Sequence, residues 1–170
     1  MGQRRISGKS FTRAVNRPAG GGALNPSPAI KSMFADLEWF NEDECFYKKC
    51  YEFGTDKKAL REFISAYDPR DLQRRKIILP NGLKPSIITE QSLFSARDQN
   101  VFLSKHNRYT PVFRHHHDYF ESFFVLSGRC ISRIEGESFT LPEGSLCFIA
   151  PGVKHTMEVF DGSIVLNICI

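Results

Sequence analysis

Two rhythms of apolar and polar residues run along this chain, and the change from one to the other falls near Gln99. From Met33 to about Tyr67 the spacing is helical: Leu60, Phe63, Ile64 and Tyr67 fall at i, i+3, i+4 and i+7 and so share one helix face. Thr55 is the expected N-cap of that helix and Pro69 its stop. Beyond Gln99, short runs rich in Phe, Ile, Val and Cys are separated by Gly128, Gly136, Gly144 and Gly152, eight residues apart, and by Gly162 ten further on. Each glycine sits in a turn-like context such as Glu135-Gly136-Glu137 or Pro151-Gly152. Short strands at this spacing predict an antiparallel sandwich or small barrel, preceded by short helices.

Composition places the pattern in one domain. The 170 residues are 41% hydrophobic and 25% charged, which supports one core and excludes a wholly disordered or fibrous chain. The chain divides into an arm at 1–30, a helical and irregular lead-in at 31–90 and a barrel at 91–170. The arm holds five basic residues, no acid, and the Gly20-Gly21-Gly22 run, so it reads as disordered. A transit peptide and a start placed too early, Met33 opening the globular sequence, are the other readings of it. The net charge of +4 belongs to this arm, because the remaining 140 residues carry 18 basic and 19 acidic groups. A near-neutral folded part does not call for a nucleic-acid partner. The basic cluster Arg70, Arg74, Arg75 and Lys76 reads as a solvated surface, with a phosphate site as the alternative.

Five cysteines, Cys45, Cys50, Cys130, Cys147 and Cys169, follow no zinc or disulfide framework and read as reduced thiols of a cytoplasmic protein. No secretory signal or apolar run of about 20 residues is present, which excludes a membrane-spanning helix.

The chemistry concentrates in His115-His116-His117-Asp118-Tyr119-Phe120-Glu121. If the run stays extended, alternation puts His115, His117, Tyr119, Glu121 and Phe123 on one face, with His116 and Asp118 opposite. Two imidazoles and a carboxylate on one face are a set of metal donors, and His155, after the Pro151-Gly152 turn, can supply a third imidazole. Iron, manganese, nickel and zinc all suit such donors. Tyr119 and Phe123 then wall a pocket beside His115, His117, Glu121 and His155, whether the ligand is an organic molecule or an ion. His116 and His106 read as surface residues, and Phe124 and Leu126 face the other side of the strand.

His115-x-His117, three residues, Glu121, six residues and Gly128 match the first cupin motif. Gly144, six residues, Pro151-Gly152, two residues and His155 resemble the second, with Ala150 in place of its first Pro and Val159 in place of its final Asn. The resemblance implies a mainly β, cupin double-stranded β-helix, an antiparallel jelly-roll-like barrel with His115, His117, Glu121 and His155 as metal ligands in its mouth. The segments Ser104 to Tyr109, Phe124 to Gly128, Leu141 to Gly144 and Ile149 to His155 narrow it further. They resemble the N-terminal ligand-sensing domain of AraC-type transcriptional regulators. That resemblance implies a small-molecule effector, a homodimer, and DNA binding through a C-terminal helix-turn-helix half that these 170 residues lack. With Ile164 to Ile170 reading as a strand that stops without a cap, the expectation is a fragment of a longer regulator, not an enzyme. The alternative is a stand-alone, metal-dependent cupin oxygenase or isomerase, or a cupin that simply binds a small ligand.

Overall fold

The computed structural model describes residue 32 and residues 35–80, 87–88 and 100–170. The expected disordered arm at 1–30 lies outside them. The described part of the lead-in includes the helices α1 (Glu42–Glu52), α2 (Lys57–Ser65) and α3 (Pro69–Arg74). Asn41 caps α1 in a reciprocal box: its side chain accepts from the Glu44 amide at 2.8 Å, and the Glu44 carboxylate accepts from the Asn41 amide at 3.0 Å. Two local expectations need correction. Asp56, not Thr55, caps α2, because its carboxylate accepts from both the Lys58 and Ala59 amides. Pro69 follows α2 but also opens α3 as its first residue, where a missing N–H costs nothing, with Asp68 as the cap.

The helices bury Phe46, Tyr47, Cys50, Leu60 and Leu72, with Phe63, Ile64 and Tyr67 packed against them. All four residues of the helical stripe read from the sequence therefore belong to this small core. Phe46, Phe63 and Tyr67 meet at ring separations of 5.0–5.5 Å.

The strands are β1 (Ile87–Ile88), β2 (Phe102–Lys105), β3 (His116–His117), β4 (Glu121–Ser127), β5 (Arg129–Ile134), β6 (Glu137–Pro142), β7 (Leu146–Ile149), β8 (His155–Glu158) and β9 (Ile164–Cys169). They form a four-stranded antiparallel sheet, β2-β9-β4-β7, a three-stranded antiparallel sheet, β6-β5-β8, and a short parallel pair, β1-β3. The fold is thus the mainly β, barrel-like arrangement expected, with short helices ahead of it.

Phe123, Val125, Cys147, Ile149 and Val165 of the larger sheet pack with Cys130, Ile134, Leu141 and Met157 of the smaller. Gly128 makes the tight β4–β5 turn at φ +76°, and a Cβ there would lie 2.1 Å from the Ser163 hydroxyl oxygen. That hydroxyl accepts from the Arg129 amide at 2.9 Å, which ties the turn to the start of β9.

A buried charge cluster joins the helices to the sheet. The Glu44 carboxylate accepts from Arg108 Nε at 2.9 Å, Arg108 Nη2 at 3.1 Å and Lys105 Nζ at 2.8 Å. Arg108 also donates to the Glu38 and Trp39 carbonyls and lies 3.7 Å over the Phe40 ring. Among the described residues, no helix is long and apolar enough to cross a membrane.

Candidate metal centre

The run from His115 to Glu121 is not one continuous strand. It pairs as β3 at His116–His117, bends at Asp118–Tyr119 and resumes pairing at Glu121. The alternation nevertheless persists as far as Glu121: His115, His117, Tyr119 and Glu121 are buried, Asp118 and Phe120 are exposed and His116 is half-buried, after which Ser122 and Phe123 are both buried. His155, at the first position of β8, comes from the other sheet. Its amide donates to the His115 carbonyl at 2.9 Å and its carbonyl accepts from the His115 amide at 3.1 Å.

One ligand atom from each of His115, His117, Glu121 and His155 lies within 4.8 Å of the other three. The His115 and His155 rings are 4.4 Å apart, and His117 stands 4.9 Å from His115 and 5.2 Å from His155. Donors bound to one ion at about 2.0–2.2 Å sit about 3–4 Å from one another, so only slight closure is needed.

The hydrogen bonds fix how the rings are presented. His115 Nδ1 is 3.2 Å from the Phe113 carbonyl and His155 Nδ1 3.0 Å from the Val153 carbonyl. A carbonyl only accepts, so both Nδ1 atoms carry the proton and Nε2 is turned to the centre. His155 Nε2 stands 2.9 Å from Glu121 Oε2. A carboxylate also only accepts, so without a cation between them this nitrogen keeps its proton. Burial opposes the imidazolium, but the Glu121 hydrogen bond outweighs it and raises the His155 pKa. Burial likewise opposes the Glu121 charge, and the neighbouring His117 and His155 imidazoles overcome it and hold the carboxyl below its ordinary range. His115 has no such acid bonded to it; burial and then the neighbouring His155 push it down to about 4.

His117 supplies the test of fit. Its Nε2 is 3.2 Å from Glu121 Oε2, yet neither ring nitrogen has a hydrogen-bond partner, although both are buried. Leaving buried polar atoms unpaired costs about 1–3 kcal/mol each. A divalent cation among the three Nε2-type donors and the carboxylate would give the His117 Nε2 its missing partner, so these residues fit a metal.

Three of the donors, His115, His117 and Glu121, open onto a cavity of about 290 Å³, and Tyr119 is on its wall. The Tyr119 ring lies 4.6 Å from His117. His155 stands behind the other three and does not line the cavity, nor does Phe123, which belongs to the core instead. The expected pocket role of Phe123 is thereby corrected: its side chain sits one pair deeper than Glu121, between Cys147 and Asn167 of the flanking strands.

His106 also departs from expectation, being half-buried on the cavity wall with its imidazole pushed down to about 4 by burial. Other wall residues escaped the sequence reading. Asn167 and Cys169 share the inward face of β9, a parity visible in the alternating run 164–170 but uninformative without knowing which strand it joins. Tyr47, Arg75, Lys76 and Ile78 reach the mouth from the lead-in, through long-range packing that no local pattern encodes. The basic cluster is accordingly divided: Arg74 is solvated, whereas Arg75 is largely buried against Asp43 and Asp71. The Cys169 thiol is pushed up to about 12, chiefly by burial, and stays protonated.

Comparison with known proteins finds likenesses at low identity. No curated protein matches it. An RmlC-like cupin from Shewanella frigidimarina is 20% identical, with a TM-score of 0.37 over 41% of this chain and 64% of that one. A putative ethanolamine utilization protein from Salmonella typhimurium is 21% identical, with a TM-score of 0.36 over 48% and 63%. HppE, solved with cobalt(II) and Tris buffer, is 20% identical, with a TM-score of 0.32 over 35% and 37%. The chain thus spans less than two thirds of each of these three. In sequence, residues 101–163, which carry all four donors, match the family model of the AraC-like ligand binding domain.

Proposed function

We propose that this chain is the small-molecule-sensing module of an AraC-type transcriptional regulator, with its effector seated in the barrel mouth against His115, His117, Glu121 and Tyr119. The observation that carries this reading is the cavity itself, which opens onto three of the four donors inside the segment matching the AraC-like ligand binding domain. A divalent metal held by His115, His117, Glu121 and His155 would act there as a Lewis acid for an oxygen-bearing ligand. The protein's own contribution is to orient that ligand. His115 and His155 are fixed by carbonyls, and Tyr47, Arg75, Lys76 and Ile78 of the lead-in line the same cavity. In this reading the module works as a homodimer in the cytoplasm and reaches DNA through a helix-turn-helix half outside these residues.

A metal-dependent cupin enzyme is the second reading, favoured by the buried three-histidine, one-glutamate set. One experiment separates the two. The metal-loaded protein is screened by thermal shift against small molecules, and each stabilising compound is then incubated with it in air and recovered. Sensing predicts the compound unchanged; its conversion with turnover, lost on His115→Ala with His117→Ala, establishes the enzyme.

A further inference from the structure

Strands β4 and β9 turn Glu121, Asn167 and Cys169 towards the cavity, and alternation sends the side chains between them to the reverse of the sheet. That outer face is apolar and open. Among the described residues, Val101, Leu103, Phe120, Phe148 and Ile170 stand there with 50–60% of their surface exposed.

The register brings these side chains together. Phe120 and Ile170 exchange amide hydrogen bonds of 2.9 and 3.1 Å, and Val101 lies one step beyond the Phe102–Cys169 pair, beside Ile170. In the next row Leu103 pairs with Ile168, Ile168 with Ser122, and Ser122 with Phe148. A third row, Leu166, Phe124 and Leu146, is half-buried. Ser122 is itself buried, and Lys105, opposite Leu166, turns its ammonium to Glu44. The described rows therefore present no charge.

At about 200 Å² for a whole large residue, the five exposed side chains offer about 550 Å², and the half-buried ones bring the face to about 700 Å². The largest apolar patch of a monomer is about 300–600 Å², and one beyond that range marks an interface. Closing two such faces on each other buries about 1,400 Å², inside the range of about 1,200–2,000 Å² for stable pairs. An uncharged face meets no repulsion when it is set against itself. Sheets stack in this way with their strands about 30° apart, and a twofold axis lying in the interface lets one patch serve both copies.

We propose that this face is a homodimer interface, in which two copies of the chain stack their four-stranded sheets with Leu103, Phe120 and Phe148 in the contact. The inference rests on that part of the reading above which makes the module a homodimer, and gives the pair its surface.

The test is sedimentation equilibrium of the full chain, with Leu103→Lys and Phe148→Lys on the face and Trp39→Lys, at an exposed position of the lead-in, as the control. The unsubstituted protein should form a dimer with a Kd of about 1 µM or tighter. Each face variant should keep the far-ultraviolet circular dichroism of the parent and weaken the dimer at least a hundredfold, while Trp39→Lys leaves it unchanged. Hydroxyl-radical labelling of the unsubstituted protein reads the same surface without a substitution: Phe120 and Phe148 should be shielded in the dimer and labelled on dilution. A chain that stays monomeric at about 50 µM, well above that Kd, has its face covered by another part of itself or by a different partner. That result overturns this proposal and the homodimer together. A dimer indifferent to both face variants, or one whose Phe120 and Phe148 are labelled as freely as in the monomer, overturns this proposal alone.

Discussion

Glu44 and Arg108, 64 residues apart, meet through hydrogen bonds of 2.9 and 3.1 Å with both side chains shut off from solvent. This pair, with Lys105, is where the lead-in is fastened to the sheet that carries Glu121. Removing one partner of a buried pair strands the other charge, at a cost of about 3–5 kcal/mol. Glu44→Ala should therefore lower the free energy of urea unfolding by about that amount, and Glu44→Ala with Arg108→Met should recover part of it. A loss below 1 kcal/mol in the single variant would show that the cluster is solvated.

The same cluster sets an acid limit. Burial tends to raise the Glu44 pKa, but the hydrogen bonds from Arg108 and Lys105 prevail and lower it. A carboxyl depressed on folding gives stability that is complete above its unfolded pKa, about 4.3, and is lost as the pH falls through the folded value. Stability should hold from neutrality to about pH 5 and decline below about 4. Glu44→Gln, though less stable at pH 7, should decline less steeply there. Parallel melting curves against pH for the two proteins would contradict this.

Gly128 should resist substitution for two reasons that a control can separate. Gly128→Ala meets the Ser163 side chain as well as an unfavourable φ, whereas Gly144→Ala, at φ +81°, meets nothing within 4 Å. The control should cost about 1–2 kcal/mol, the left-handed penalty alone. Gly128→Ala should exceed it by about 1–3 kcal/mol, the usual cost of forcing an atom into a filled space. Equal melting temperatures for the two variants would show that Ser163 moves aside.

Metal content and melting are expected to move together. One equivalent of divalent ion should bind the purified protein, and ligand at a hundredfold over its Kd adds about 2.7 kcal/mol of stability. A chelator should lower the melting temperature accordingly. Glu121→Gln should weaken binding, and His115→Ala with His117→Ala should abolish both uptake and the chelator effect. A chelator response that survives the double substitution would place the ion elsewhere.

How much of this was legible depended on range. Three of the four candidate donors stood out because alternation needs only neighbouring residues, and burial at 115, 117, 119, 121 and 123 persists even where Asp118 and Tyr119 interrupt the strand pairing, whereas His155 was read from its place after the Pro151-Gly152 turn. The short antiparallel strands were implied by the glycine turns, and the helical stripe at Leu60, Phe63, Ile64 and Tyr67 by its spacing. Thr55 misled because Asp56, one residue later, offers a stronger acceptor to the first amides of α2. The buried partnership of Glu44 with Arg108 and the arrival of Lys76 at the cavity had no local signature. Both depend on how the helices meet the sheet, which charge and hydropathy along the chain do not encode.

The mutual amide bonds between His115 and His155 have a thermodynamic consequence of their own. Two of the four donors are positioned by backbone pairing between sheets, and Glu121 by its place in β4. The scaffold therefore erects the site before an ion arrives, in contrast to small zinc domains whose folding is driven by the metal. Loading of an ion at these donors would be an exchange, in which a cation enters and the proton between His155 and Glu121 leaves, with little chain entropy at stake. Its occupancy would then track supply while the fold stays as it is.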